Sequence, residues 1–104
     1  MPIAWSGIWS AADETLTIDM TGVRATGNFA AERVRVGPVL FDLEVRRRHA
    51  TLRVLLVHRQ GPAATLCLRL PPPGPRLVEV DGVTLRGGDL RFPFSAQHEV
   101  VAYY

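Results

Sequence analysis

The chain has no lysine, only one cysteine, no stretch of apolar residues at helical spacing and no apolar window long enough to cross a membrane. Each absence excludes something. A lone thiol, Cys67, cannot close an intramolecular disulfide, so cysteine usage gives no sign of an oxidising compartment. A membrane helix needs about 20 consecutive apolar residues, and none are found. The opening Met1-Pro2-Ile3-Ala4-Trp5 lacks the basic and apolar regions of a signal peptide, so a cytoplasmic chain, or a piece cut from a longer one, is expected. All 12 basic residues are arginine, which lifts the isoelectric point to 9.3 although the net charge is only +2. They are spread among 10 acidic residues, a pattern that does not predict a nucleic-acid partner.

What is present is alternation. The 104 residues are 47% apolar, enough for one domain over 1–104 with a core of its own. The sharpest signal lies near the C-terminus, where Val78, Val80, Val83 and Leu85 alternate with Glu79, Asp81, Thr84 and Arg86 around Asp81-Gly82. That dipeptide accepts the positive φ angles of a type I′ turn. A two-residue turn then sets Val80 opposite Val83, Val78 opposite Leu85 and Glu79 opposite Thr84.

Earlier in the chain, Trp5 and Trp9 flank Gly7 and two serines in a segment that reads as strand or loop. Leu16, Ile18 and Met20 alternate with Thr15, Thr17 and Asp19, and a turn at Thr21-Gly22 predicts a return through Val23, Ala25 and Gly27. In that hairpin Asp19 faces Arg24, Thr17 faces Thr26, Met20 faces Val23 and Ile18 faces Ala25. A short piece over Arg33 to Val36 leads to Gly37-Pro38. Beyond it Val39, Phe41, Leu43 and Val45 form one face of a strand, and Leu40, Asp42, Glu44 and Arg46 the other.

The next strand, Thr51 to His58, connects in one of two ways. A two-residue turn at His49-Ala50 demands positive φ of residues that resist it and sets Arg46 against Arg53, whereas a four-residue loop, Arg47 to Ala50, sets Glu44 against Arg53. The second is expected. A five-residue loop, Arg59 to Ala63, would then pair Leu66 with Leu56 and Leu68 with Val54. Pro71-Pro72-Pro73-Gly74-Pro75 is a stiff connector suited to carrying the chain from one sheet to another. Pro93 cannot donate to a ladder and marks an edge strand or a bulge, and the last strand is His98 to Tyr104. The sum is an all-β chain, an antiparallel β-sandwich of about nine short strands.

Chemistry-bearing residues are sparse. Asp42 and Glu44, alternate on one strand and so about 7 Å apart, have the spacing of a glycosidase acid/base pair. The neighbouring Arg46 and Arg53 would hold both ionised, which disfavours a small glycan-hydrolysing enzyme. His49, His58, His98 and Cys67 show no metal-ligand spacing, Ser6, Ser10 and Ser95 lie in no nucleophile motif, and no cofactor is called for. His58 reads as a hydrogen-bonded rim histidine. The run Arg46-Arg47-Arg48-His49 has no interleaved aromatics and reads as a solvated hairpin tip. Trp5, Trp9, Tyr103 and Tyr104 are candidates for a stacking platform for sugar rings, which as the alternative function would make the chain a carbohydrate-binding module.

One strand resists a bland reading. Thr51 to His58 is apolar on both faces, because Leu55 and Val57 oppose Leu52, Val54 and Leu56. With Leu40 and Cys67 as expected neighbours, Leu55 and Val57 predict an apolar strip that a protein partner or a second copy would cover.

The segments Leu68-Arg69-Leu70-Pro71, Val78-Glu79-Val80-Asp81-Gly82, Leu90-Arg91-Phe92 and His98-Glu99-Val100-Val101-Ala102-Tyr103 together resemble the small β-sandwich at the C-terminal end of many bacterial glycoside hydrolases and phosphorylases. The resemblance implies a noncatalytic accessory module that packs against a catalytic core. No catalytic residue carries over from it.

Overall fold

The computed structural model describes residues 5–21, 26–48, 50–71, 75–85 and 90–104, with backbone alone at 26–27. Their alternating sequence forms ten strands: β1 (Ser6–Ser10), β2 (Thr15–Asp19), β3 (Thr26–Val36), β4 (Val39–Arg48), β5 (Thr51–Gln60), β6 (Ala64–Arg69), β7 (Leu77–Val80), β8 (Val83–Leu85), β9 (Leu90–Phe94) and β10 (Gln97–Tyr103). They make two sheets, of order β1-β2-β6-β9 and β3-β4-β5-β10-β7-β8. Every described pair is antiparallel except β2 with β6. The architecture is the expected β-sandwich.

Period-two patterning puts one apolar row after another on the facing sides. In the large sheet Phe29, Val45, Val54, Val100, Val80 and Val83 are successive cross-strand partners over all six strands. In the small sheet Trp9, Leu16, Leu66 and Phe92 do the same. The sheets meet at Phe41 of β4 and Phe94 of β9, packed edge to face with centroids 6.1 Å apart and both without solvent exposure. Burying each ring contributes roughly 1.5–3 kcal/mol.

The β7–β8 hairpin has the expected register, with Val78 opposite Leu85, Glu79 opposite Thr84 and Val80 opposite Val83. Asp81 and Gly82 adopt φ of 51° and 84°, as a type I′ turn requires. Pro93 lies on β9, an edge strand, as expected. The proline run joins β6 of the small sheet to β7 of the large one, and Pro72 to Gly74 themselves lie outside the described residues.

Three expected pairings are corrected. Thr17 does not face Thr26, because β2 lies between β1 and β6, with Thr17 opposite Ile8 and Cys67. Strand length accounts for this: the 11 residues of β3 find partners for their backbone groups along the 10 of β4, which the 5 of β2 do not offer. The turn and return strand over 22–25 lie outside the described residues. Leu66 and Leu68 do not pair with Leu56 and Val54, since β5 and β6 belong to different sheets. Gly61 carries the crossing at φ 103°, where a Cβ would strike the carbonyl oxygen of Pro38.

The third correction is at β4–β5, where Arg46, not Glu44, sits opposite Arg53, and Arg48 sits opposite Thr51. This register extends the ladder to the last residue of β4 and keeps Val45 against Val54 and Leu43 against Leu56. Ladder hydrogen bonds and core pairing therefore outweigh one unfavourable surface pair.

Candidate functional site

The outer face of the large sheet carries most of the residues that sequence marks for function. Leu55 lies between Glu44 and Glu99, and Val57 between Asp42 and Gln97, while Leu40 pairs with Arg35 and Gln60. Leu40, Leu55 and Val57 are half-buried, and Val101, between Arg53 and Glu79, extends the apolar strip with only 9% exposure. Sequence reasoning missed Val101, although the unbroken apolar run Val100-Val101-Ala102, apolar on both faces of the strand, made it legible. Glu44, Arg46, Arg53 and Glu99 surround Leu55 in a depression of about 200 Å³. Long charged side chains thus rim the apolar floor and lay their stems beside it.

Cys67 is not part of this strip. It is a buried free thiol on β6, in the other sheet, between Thr17 and Arg91. The strand order separates it from Leu55, because the expected β5–β6 hairpin is a crossing.

The four aromatics do not form one exposed platform; all are half-buried. Trp5 packs edge-on to Phe41 at 6.4 Å, and Trp9 lies so close over Gly37 that a Cβ there would strike its indole. These rings plug the sandwich against its core. Tyr103 faces outward from β10, where a hydrogen bond to Glu79 pushes its phenol up. Tyr104 donates its hydroxyl to the Pro71 carbonyl at 3.0 Å, stacks under the Arg47 guanidinium at 4.4 Å, and is pushed up by burial. Arg47 is only 8% exposed, so the basic run is not solvated throughout.

Asp42 is tied more tightly than expected, and by different arginines. The backbone N–H of Arg33 donates to Oδ1 at 2.8 Å, and Arg59 gives Oδ2 a hydrogen bond from Nε at 2.7 Å and an Nη contact at 2.6 Å. First the Arg33 N–H and then the Arg59 guanidinium hold its carboxyl below the usual range. A carboxyl so held does not serve as a general acid near neutrality. Glu44 pairs with Arg46 at 2.8 Å, as expected.

Around Asp42 lies a feature that sequence reasoning did not single out. The register slips between Ala31 and Val34 on β3, and again at Leu40/Phe41 of the β4–β5 ladder. These adjacent irregularities, with Arg33 at φ 53°, bound a cavity of about 530 Å³ lined by Glu32, Arg33, Leu40, Asp42, Arg59 and Gln60. Bulges of this kind re-aim side chains and recur beside binding sites. Their sequence signal is a slip in the phase of alternation, visible at Glu32-Arg33 and at Arg59.

His58 approaches the Pro62 carbonyl through Nε2 at 3.1 Å and packs on Phe94, as a rim histidine should. His98 pairs through Nδ1 with Asp81 at 2.7 Å and packs on Phe92. His49 lies outside the described residues. Among the described residues no three His, Cys, Asp or Glu side chains gather as metal ligands, and no helix is long and apolar enough to cross a membrane.

No protein-family model matches the chain, and no curated protein matches it. Among solved structures, 88% of the chain is similar to a β-L-arabinofuranosidase of glycoside hydrolase family 127 from Geobacillus stearothermophilus T6, with a TM-score of 0.58 and 14% identity. The similarity spans 15% of that enzyme's chain. At this identity it speaks to the fold: a sandwich of this kind occurs within a glycoside hydrolase.

Proposed function

We propose that the chain is a noncatalytic accessory β-sandwich of the kind attached to carbohydrate-active enzymes, and that it works by seating the outer face of its six-stranded sheet on another protein. The observation that carries this reading is the apolar strip of Leu40, Leu55, Val57 and Val101 on the side of the sheet away from the core. Support for the accessory role comes from the likeness of nearly the whole chain to a small part of a glycoside hydrolase. The tethered state of Asp42 and the pairing of Glu44 with Arg46 favour a noncatalytic role.

A strip that seats on protein also seats, more weakly, on a second copy, so the isolated chain at high concentration reports on it. In a dilution series of the 15N-labelled chain, amide shifts are expected on β4, β5 and β10. Shifts confined to β1, β2, β6 and β9 would place any interface on the other sheet and overturn the proposal.

Direct glycan binding is the second reading. The cavity between the two bulges favours it more than the tryptophans do, since carboxylate, guanidinium and carboxamide groups there surround Leu40. Calorimetric titration with neutral oligosaccharides should give binding that Gln60→Ala weakens several-fold. Absence of heat across a broad set of sugars would remove this reading.

A further inference from the structure

The β4–β5 register raises a question of its own. It sets Arg46 directly opposite Arg53, with Arg48 two residues along β4 on the same face, opposite Thr51. Like charges directly opposed across a ladder repel, so this corner of the sheet works against its own folding. These four residues line a pocket of about 270 Å³. Among the described residues one carboxylate pairs directly with the cluster: Glu44 takes Nε and Nη of Arg46 on a single oxygen, at 2.9 and 2.8 Å, while Glu99 lines the neighbouring depression around Leu55 without an ion pair to these arginines. Among the described residues neither Arg48 nor Arg53 has an ion-pair partner. Places where a chain keeps a locally unfavourable arrangement are places to look for a ligand.

We propose that this pocket is an oxyanion site, built to take one carboxylate, sulfate or phosphate group between the guanidinium groups of Arg46, Arg48 and Arg53, with the Thr51 hydroxyl as a further donor. The chemistry follows from the lining. Guanidinium presents paired N–H donors in a planar fork that matches two oxygens of such a group, and it stays protonated at any physiological pH. The pocket has room for the anionic group and the small unit that bears it, and the exposed position of all three arginines leaves it open to a ligand from solvent. The bound anion supplies the negative charge that the register leaves out. Arg47 takes no part, being buried on the opposite face over Tyr104.

The test is thermal melting in sodium phosphate, sodium sulfate and oligogalacturonate, with sodium chloride at matched ionic strength as the reference. Saturable stabilisation is expected, on the order of 10 °C with ligand a hundredfold above its Kd. Saturation by inorganic phosphate or sulfate identifies a free anion as the ligand, and saturation by oligogalacturonate alone identifies a sugar-borne carboxylate. Arg53→Gln should melt higher than the parent in chloride, because it relieves the repulsion, and should lose the response to the anion. Arg48→Gln should lose it in part. Arg91→Gln, on the other sheet, should keep it, which separates a site from net charge. Val57→Asp, in the apolar strip but lining neither the arginine pocket nor the depression around Leu55, should also keep it, so the outcome is independent of what covers the strip. Equal shifts in chloride, no saturable shift with any of the three anions, or an undiminished shift in Arg53→Gln would each overturn the proposal.

Discussion

At the residue scale, three aspartates are held below the usual carboxylate range by local bonds. Thr21 donates its N–H and hydroxyl to Asp19, Arg33 and Arg59 hold Asp42, and His98 with the Glu99 N–H holds Asp81. A carboxyl lowered in the folded chain stabilises it above the unfolded value of about 4 and loses that contribution as the pH falls through the folded value. Stability should therefore be steady from neutrality to about pH 5 and fall below about pH 4. Asp81→Asn is the sharpest probe. Asparagine tolerates the positive φ of the turn, so the variant loses the charge while keeping the hairpin. Urea melts between pH 7 and pH 2.5 should show a lower midpoint at pH 7 and a flatter acid limb. A limb as steep as that of the parent would mean that Asp81 contributes nothing to acid sensitivity.

At the element scale, the turns and crossings decide which strands meet. The β7–β8 hairpin was legible because Asp81-Gly82 sets both turn type and register within a few residues. The β4–β5 connection was misread because a like-charge pair weighs against a register only locally, while the ladder to Arg48 and the Val45–Val54 and Leu43–Leu56 pairs weigh for it along the whole strand. The pairing of β2 with β6 is parallel and distant in sequence, and alternation is blind to which edge of a strand is used. The crossing at Gly61 gives this a measurable form. Gly61→Ala meets both an unfavourable φ and the Pro38 carbonyl, and should cost more than roughly 1–3 kcal/mol. Gly82→Ala also takes a positive φ, but with no atom within 4 Å of the added carbon, and should cost about 1–2 kcal/mol. Equilibrium urea melts of the two variants separate the steric part from the conformational part. Equal costs would mean that the crossing is not held against Pro38.

At the scale of the whole molecule, the two faces of the large sheet differ in kind. The inner apolar side chains of its central strands β4, β5 and β10 are packed to near-zero exposure, and its outer face mixes an apolar strip with charged side chains. Sequence alone singled out Leu40, Leu55 and Val57, because apolar residues on both sides of one strand are visible without any pairing. It misplaced Cys67 and grouped four aromatics into one platform, because both depend on which sheet each strand joins. The bulges leave only a slip in the phase of alternation as their trace, and the arginine pocket depends on the one register that local charge pairing disfavours. Among the described residues the most exposed large apolar side chains, Ile8 at 64% and Val83 at 62%, stand singly on β1 and β8, an edge strand of each sheet, and form no patch with the strip.

The central claim, that the outer face seats on protein, is tested most directly by solution mass from light scattering after size exclusion, for the parent chain and Leu55→Asp over the same concentration series. The parent should rise above 11.5 kDa with concentration, while the variant, equally folded by circular dichroism, should remain at that mass throughout. A parent chain that stays at 11.5 kDa at every concentration, or a variant that associates as the parent does, would contradict the claim.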